Sequence, residues 1–239
     1  VITFNYDIYN NLLSITQPWG AQTRQWASFG WTSHTMHPSF GSLRVVGTAD
    51  NAVLPLLMQV GLPDGARYNF EYTNAAQVSV IRHYRSDNAQ TFYTVYQYES
   101  TTTDCPRLSQ TRVSAENWTD LNGVPGEVTT YFAVDPDGAC RMTAPDNTVY
   151  KEYYGTGWQK GLTTLSEVWV GPAKKKWTTT AGTQDNTSVS WEVNPRVTET
   201  NTYDGGGTRR RTVTDYGPYA SWGLPYIVKD YAADGTTEI

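Results

Sequence analysis

The sequence predicts an all-β protein built from repeated β-hairpins in a wound or spiralling antiparallel sheet. Aromatic residues, which favour strands, make up 13% of the chain, and 20 glycines and 12 prolines interrupt it at short intervals. No window has the apolar spacing of an amphipathic helix, whereas stretches such as residues 90–98 are dense in strand-forming residues. Short strands separated by turns are typical of sandwiches and barrels, but approximate repetition of the sequence favours a wound sheet.

A ten-residue pattern occurs twice and predicts a turn that enters a strand. Residues 63–72 read PDGARYNFEY, and residues 145–154 read PDNTVYKEYY. Proline fixes the approach to the turn, and Asp-Gly or Asp-Asn supplies the positive φ angles of a tight hairpin. The tyrosines five and nine residues after each proline should share one face, because side chains alternate along a strand. The motif residues are Pro63, Asp64, Gly65, Tyr68 and Tyr72 in one copy and Pro145, Asp146, Asn147, Tyr150 and Tyr154 in the other.

Weaker copies of this strand, turn and strand unit extend along the chain. They occupy residues 6–26, 70–81 and 202–213, while residues 105–126 are rich in turn formers and are predicted to form a surface loop. The chain starts on an alternating strand and ends just after an Asp-Gly turn. We therefore expect a single continuous β-repeat segment over residues 1–239, an excerpt whose terminal strands pair with the remainder of a longer polypeptide or with neighbouring subunits.

These repeats resemble the YD repeat of Rhs proteins. The resemblance rests on Tyr6-Asp7 with Asn11-Leu12 and the TQPWG of residues 16–20, and more strongly on residues 62–72. Degenerate copies follow at residues 135–138, 146–147, 152–154, 223–225 and 230–231. The resemblance implies a long sheet that spirals through hairpins into a hollow shell, as in bacterial Rhs toxins, insecticidal toxin complexes and teneurins. It also implies an encapsulated toxin as a partner.

Composition argues against two classes of partner. The formal net charge of −5, with only 17% charged residues, leaves no broad basic surface for nucleic acid. The longest apolar run, residues 52–58, contains Pro55 and is far shorter than the roughly 20 residues of a membrane helix. We expect neither nucleic-acid binding nor a membrane span.

The two cysteines of the chain bear on whether the protein is in an oxidising cellular compartment. Cys105 and Cys140 form an even pair in a lysine-poor chain rich in Thr, Asn and Tyr, which is consistent with one disulfide in an oxidising compartment. Two free buried thiols are the alternative. With the disulfide, the chain is predicted to be secreted or to lie at the cell surface.

No pattern in the sequence supports an enzyme, a metal site or a cofactor. His34 and His37 lack a third ligand at familiar metal spacing, and no nucleophile elbow is present. Residues 135–138, DPDG, also resemble the signature at the self-cleaving end of the Rhs core, but a turn in which Asp bonds its own backbone is the preferred interpretation. We therefore predict a structural scaffold.

Exposed aromatic residues give the alternative function. Sugars stack on aromatic faces, and Trp19 beside a turn and Trp118 in the predicted loop are the candidates for such stacking. On this interpretation the chain is a carbohydrate-binding β-module whose partner is a cell-surface glycan. Packing of tryptophans between sheet layers is the commoner use of these residues.

Overall fold

The computed structural model describes residues 1–37, 49–99, 106–115, 118–119, 126–207 and 209–239. Within these residues the chain forms sixteen antiparallel strands and two short 3₁₀ helices, which confirms the all-β prediction. The chain divides into two compact units, Val1–Thr129 and Thr130–Ile239. The boundary falls inside a strand rather than in a linker, and this strand, β9, is described with the second unit.

The first unit is a sheet whose strands follow one another in chain order, each paired with its predecessor and successor. Alternating apolar and polar residues and β-branched or aromatic side chains favour these strands. The strands are β1 (Thr3–Tyr6), β2 (Leu12–Trp19), β3 (Gln22–Thr35), β4 (Val53–Gly61), β5 (Arg67–Tyr72), β6 (Val78–Tyr84), β7 (Gln90–Glu99) and β8 (Arg107–Ala115).

The second unit repeats this topology, again with every strand beside its chain neighbours. The strands are β9 (Val128–Val134), β10 (Cys140–Thr143), β11 (Thr148–Tyr154), β12 (Thr163–Val170), β13 (Ala173–Thr183), β14 (Arg196–Asp204), β15 (Arg209–Asp215) and β16 (Ile227–Tyr231). The 3₁₀ helices are η1 (Gly157–Gln159) and η2 (Gly217–Trp222). In the described part of the chain no helix is long and apolar enough to cross a membrane.

The segment 105–126, predicted from its turn formers to be a loop, contains a strand. Residues Arg107–Ala115 form β8, which pairs with β7 along its full length. The reason is the β-branched and apolar content of this stretch, which alternates with polar residues and fits a half-buried strand. Most of the remaining positions of the segment lie outside the described residues.

The terminal strands are paired as hairpins. β1 pairs with β2, and β16 pairs with β15. The predicted turn at Asp234-Gly235 is present, since the Gly235 amide donates to the Ala232 carbonyl. After it the chain returns, and Glu238 forms a bridge with Tyr231.

Candidate functional site

One turn geometry recurs through both units. In the turns 7–11, 62–66, 73–77, 85–89, 135–139 and 144–148, the first residue's amide donates to the carbonyl of the fifth, and the fourth residue's amide donates to the carbonyl of the first. The fourth residue has positive φ in every case: Asn10, Gly65, Ala76, Asn88, Gly138 and Asn147. This is the three-residue hairpin loop of a type I turn followed by one left-handed residue. The proline-led turns predicted at Pro63 and Pro145 are therefore confirmed.

The aspartate of the turn has a different role from the one predicted. Asp64 and Asp146 do not adopt positive φ; only Gly65 and Asn147 do. Instead the Asp146 carboxylate accepts the Thr148 amide at 2.9 Å, and Asp64 accepts the Ala66 amide at 3.0 Å. The same backbone bond from the residue two positions on lowers the pKa of Asp146 below its usual value. Aspartate thus stabilises the turn through its side chain.

A second repeated element is a β-bulge opposite a tyrosine that is the last or next-to-last residue of its strand. The pairing shifts by one residue at Tyr6, Tyr72, Tyr84, Tyr98 and Tyr154, and the extra residue lies on the following strand. At three of these bulges the extra residue's hydroxyl points to the carbonyl just before the tyrosine: Thr91 to His83 at 3.5 Å, Ser109 to Gln97 at 3.1 Å and Thr164 to Tyr153 at 3.2 Å. Because a bulge disrupts the ladder, a hydroxyl there satisfies a backbone acceptor.

These hydroxyl residues were missed in the sequence, although a signal exists. Where the turn has five residues, the extra residue stands seven positions after the tyrosine, as in Tyr72 with Ser79 and Tyr84 with Thr91. A longer connection changes the spacing, as in Tyr154 with Thr164. The pattern is therefore a tyrosine, a turn and then Ser or Thr as the second or third residue of the next strand.

The central strands of the first unit present an apolar face. Residues in register across the strands share a face, and the rows through Tyr68, Phe70 and Tyr72 define this one. We call it the apolar face; its members on β5–β8 are Tyr68, Phe70, Tyr72, Val78, Ile81, His83, Phe92, Thr94, Tyr96, Tyr98, Leu108, Thr111, Val113 and Ala115. The tyrosines five and nine residues after Pro63 therefore share a face, as predicted.

The opposite face of the same strands carries mostly polar side chains, together with Val80 and Val95. Glu71 and Arg82 lie on it and form an ion pair with 3.0 Å between Oε1 and Nε. Tyr93 and Arg112 lie there too and both contact Glu127, whose carboxylate raises the pKa of Tyr93. The sheet of the first unit is thus amphipathic across β5–β8.

Among the described residues of the first unit, no second layer of strands packs over the apolar face. The extensive contacts between elements all join strands consecutive in the chain, and the aromatic side chains on this face stay half-buried. Some polar tips find partners inside the sheet: Tyr72 donates to the Leu57 carbonyl at 2.6 Å and Tyr98 to the Val78 carbonyl at 2.9 Å. Partial burial raises the pKa of both tyrosines. Each ring therefore lies across the preceding strand.

The second copy of the motif forms the same turn, but its tyrosines are more exposed than those of the first copy. Tyr150 and Tyr154 share a face of β11, since no extra residue interrupts that strand, yet each is 40% exposed. The Tyr154 hydroxyl donates to Glu152 on the same strand, and this bond raises the pKa of Tyr154. The tyrosines of the two copies are thus equivalent in register and different in surroundings.

The second unit carries paired charges and stacked rings on one face. Glu167 is nearly buried and accepts hydrogen bonds from Lys174 Nζ at 2.7 Å and Trp169 Nε1 at 2.8 Å. Lys174 also lies 5.1 Å from the ring centroid of Trp177, which stacks on Tyr203 with an angle of 8° between the planes. These contacts explain how the charged Glu167 can be buried on a polar face, because its carboxylate is paired with Lys174.

The segment 135–138, singled out for its resemblance to a cleavage signature, is one of the repeated turns. The Asp135 carboxylate contacts Lys151 Nζ at 2.7 Å and Arg141 Nε at 3.3 Å. The Asp137 carboxylate accepts the Ala139 amide and the Tyr153 hydroxyl, and the backbone bond lowers the pKa of Asp137. Both carboxylates stabilise the hairpin, as the turn interpretation predicts.

Comparison with solved structures finds similarity over the whole chain. The crystal structure of TcdB2-TccC3-Cdc42 matches with 13% sequence identity and a TM-score of 0.39, covering 100% of this chain and 13% of the matched chain. A Tc holotoxin pore of Photorhabdus luminescens with a substituted TccC3 matches with 12% identity, a TM-score of 0.39 and the same coverage. This chain is similar to a segment of Tc toxin chains. No protein-family model and no curated protein matches the sequence.

The matched chains are much longer than this one, which spans 13% of their length.

The two tryptophans proposed for sugar stacking are both exposed, Trp19 by 66% and Trp118 by 38%. Trp19 precedes the turn at Gly20, which has φ +62°. The ring of Trp118 lies against the backbone of Gly126, where an added Cβ would come within 2.8 Å. One face of Trp118 is therefore covered, and Trp19 is the freer of the two.

The cysteine and histidine predictions have different outcomes in the described residues. Cys140 is exposed at the start of β10, but Cys105 lies outside the described residues, so their disulfide stays a prediction. His37 contacts Asp50 at 3.3 Å, and His83 lies 4.6 Å from the ring centroid of Tyr68. Across the described ranges, no group of three or more His, Cys, Asp or Glu is arranged to hold a metal ion.

Proposed function

We propose that this chain is a structural β-repeat scaffold that forms part of a larger extracellular or cell-surface shell. The observation that carries the proposal is the apolar face of β5–β8, over which no other strand of the unit packs in the described part of the chain. A soluble protein rarely leaves an apolar patch of this kind open unless it is an interaction surface. In a shell wall, such a face lies against enclosed protein or a neighbouring part of the wall.

The exposed area supports the same role. Large aromatic side chains such as Phe4 and Tyr6 remain more than half exposed. The sheet therefore has apolar surface to bury against other protein, which suits a component of an assembly.

The repeated turn and bulge also support a scaffold. Each of the six repeated hairpin turns is closed by its own backbone hydrogen bonds and has its own residue with positive φ. One hairpin can therefore follow another along the chain without a crossover. Carboxylates of the repeated turns accept backbone amides of their own hairpins. We accordingly assign the chain a non-enzymatic role, with an enclosed toxin as the partner implied by the resemblance.

The test uses substitutions on the two faces of one strand. Tyr96→Lys places a charge on the apolar face. Gln97→Lys changes the next residue of the same strand and places the charge on the opposite, polar face. We expect the wild-type chain to bind an apolar dye and to self-associate in analytical ultracentrifugation. Tyr96→Lys should reduce both, and Gln97→Lys should reduce neither. A monomer that binds no dye, or equal effects of the two variants, would contradict the proposal.

The extracellular location has a separate test. We propose that Cys105 and Cys140 are joined in the native protein, as expected for an oxidising compartment. Peptide mapping of the protein from its native source without reductant should find the two cysteine peptides linked. Two unlinked peptides that both react with a thiol reagent would argue against this location.

Glycan binding is the second candidate, because Trp19 offers 66% of its surface to solvent beside a rigid turn. Exposed indole faces stack on sugar rings. Binding of the chain to a polysaccharide array, lost in Trp19→Ala and kept in Trp118→Ala, would favour this module over the scaffold. An array without binding would remove the candidate.

A further inference from the structure

A cavity of about 210 Å³ lies within the second unit, apart from the apolar face and the repeated turns. The connection between β11 and β12 supplies one wall, the start of β12 and the end of β13 supply the base, and the start of β14 supplies the opposite wall. We call it the Trp158 cavity. Its lining includes Trp158, Leu162, Thr180, Gly182, Pro195 and Val197.

The wall that carries Trp158 is held in place by its own backbone. The Gly155 amide donates to the Leu162 carbonyl at 3.0 Å, and the Leu162 amide donates to the Gln159 carbonyl at 2.8 Å. A Cβ at Gly155 would come within 2.3 Å of the Gln159 Cβ, so this tight loop requires glycine there. The Trp158 ring is thus carried on a closed loop, and the cavity is formed before any ligand arrives.

Glycine also keeps the base of the cavity open. A Cβ on Gly182 would lie 3.8 Å from the Trp158 ring and 2.8 Å from the Arg196 carbonyl. Gly182 therefore allows β14 to approach β13 closely and leaves unfilled the space below the indole. Any larger residue at this position would occupy the cavity or push the strands apart.

The chemistry of the lining is apolar. Indole, leucine, proline and valine groups contribute to it, and the one cation beside it is already neutralised. The Arg196 side chain is only 8% exposed, and its Nη1 donates to the Asp185 carboxylate at 2.5 Å and to the Ala220 carbonyl at 2.8 Å. An anion would therefore find no free charge. The other polar groups of the lining are neutral, and they belong to Gln159, Thr163, Thr164 and Thr180.

The size of the cavity selects the ligand. An apolar cavity of about 150 Å³ accepts benzene, and the Trp158 cavity is somewhat larger. A flat ring also gains from contact with an indole in an offset or edge-to-face geometry. We propose that the Trp158 cavity binds one small aromatic group, of the size of a benzene or indole ring with a short substituent, either as a free small molecule or as an aromatic side chain of another polypeptide.

The test follows the Trp158 signal directly. The whole chain is labelled with 5-fluorotryptophan, the Trp158 resonance is assigned by its absence in Trp158→Phe, and the protein is titrated with indole, N-acetyltryptophanamide or cellobiose. We expect indole to shift the Trp158 resonance with saturation. Saturable shifts with the amide as well identify a side-chain site, and shifts with indole alone identify a free small-molecule site.

Filling variants make the assignment specific. Thr180→Leu adds bulk inside the cavity, while Lys176→Leu adds the same side chain on the same face of β13 outside the lining. Thr180→Leu should weaken indole binding at least tenfold, and Lys176→Leu should leave it unchanged. Circular dichroism checks that each variant folds, and Val197→Trp is a second filling variant at a position 45% exposed. Absence of a saturable shift with both aromatic probes, a shift with cellobiose alone, or unchanged binding in both filled variants would overturn the proposal.

Discussion

The repeated turn can be tested by exchanging glycine and alanine at its left-handed position. Gly138 has φ +85°, and a Cβ built on it would meet no heavy atom within 4 Å. Gly138→Ala therefore introduces backbone strain without a steric clash. The strain costs about 1–2 kcal/mol, and the lower entropy of alanine in the unfolded chain offsets about 0.4–1 kcal/mol of it. We expect the free energy of unfolding to fall by about 1 kcal/mol.

The reverse exchange is available in the first unit. Ala76 occupies the equivalent position with φ +59°, so Ala76→Gly relieves the strain. Its neighbour Ala75 is outside the left-handed region, and Ala75→Gly only raises the entropy of the unfolded chain. Adjacent alanine-to-glycine changes in one turn should therefore have opposite signs, with Ala76→Gly stabilising and Ala75→Gly destabilising.

Urea unfolding followed by tryptophan fluorescence measures these changes. With a slope of about 1–3 kcal/mol per molar urea, a change of 1 kcal/mol moves the midpoint by about 0.3–1 M. Gly65→Ala should cost more than Gly138→Ala, because its Cβ would also lie 3.1 Å from the Ser86 Cβ. A neutral Gly138→Ala, or equal destabilisation by both alanine-to-glycine changes, would refute the assignment of backbone strain to this position.

Three further predictions concern hydroxyl, carboxylate and buried-charge contacts. Thr164→Val removes the hydroxyl that bonds the carbonyl at a bulge and should cost about 1 kcal/mol in urea unfolding; an unchanged midpoint would show that the bond is not stabilising. Asp234 has its pKa lowered to about 2, chiefly by the Thr237 hydroxyl. Its stabilising effect is therefore complete above pH 4 and lost as the pH falls toward 2, so carboxyl NMR should give this low pKa, and Asp234→Asn should lose that part of the acid dependence. Glu167→Ala leaves Lys174 and Trp169 without their acceptor and should cost about 1.5–3 kcal/mol; Glu167→Met with Lys174→Met should cost less, and an equal cost would mean that the ion pair is not the cause.

The hairpins were readable from local chemistry. Pro63, Asp64 and Gly65 specify a turn because proline fixes one φ angle, aspartate accepts a backbone amide two residues on, and glycine tolerates the left-handed region. None of these effects depends on distant residues. The all-β class follows in the same way from alternation and from strand-forming residues such as those of β7.

The exposure of side chains, the strand β8 and the Trp158 cavity could not be predicted from the sequence, because they depend on which strands pair. Tyr68 and Tyr150 hold the same place in the two repeats, yet one is half-buried and the other is 40% exposed, because exposure depends on neighbouring strands. The strand β8 was obscured by the turn formers on its flanks and is fixed by its ladder to β7. The Trp158 cavity joins residues from the connection between β11 and β12 and from three strands, so no spacing in the sequence marks it. Local turns are determined by bonds within five residues, whereas faces, burial and cavities depend on which strands lie side by side.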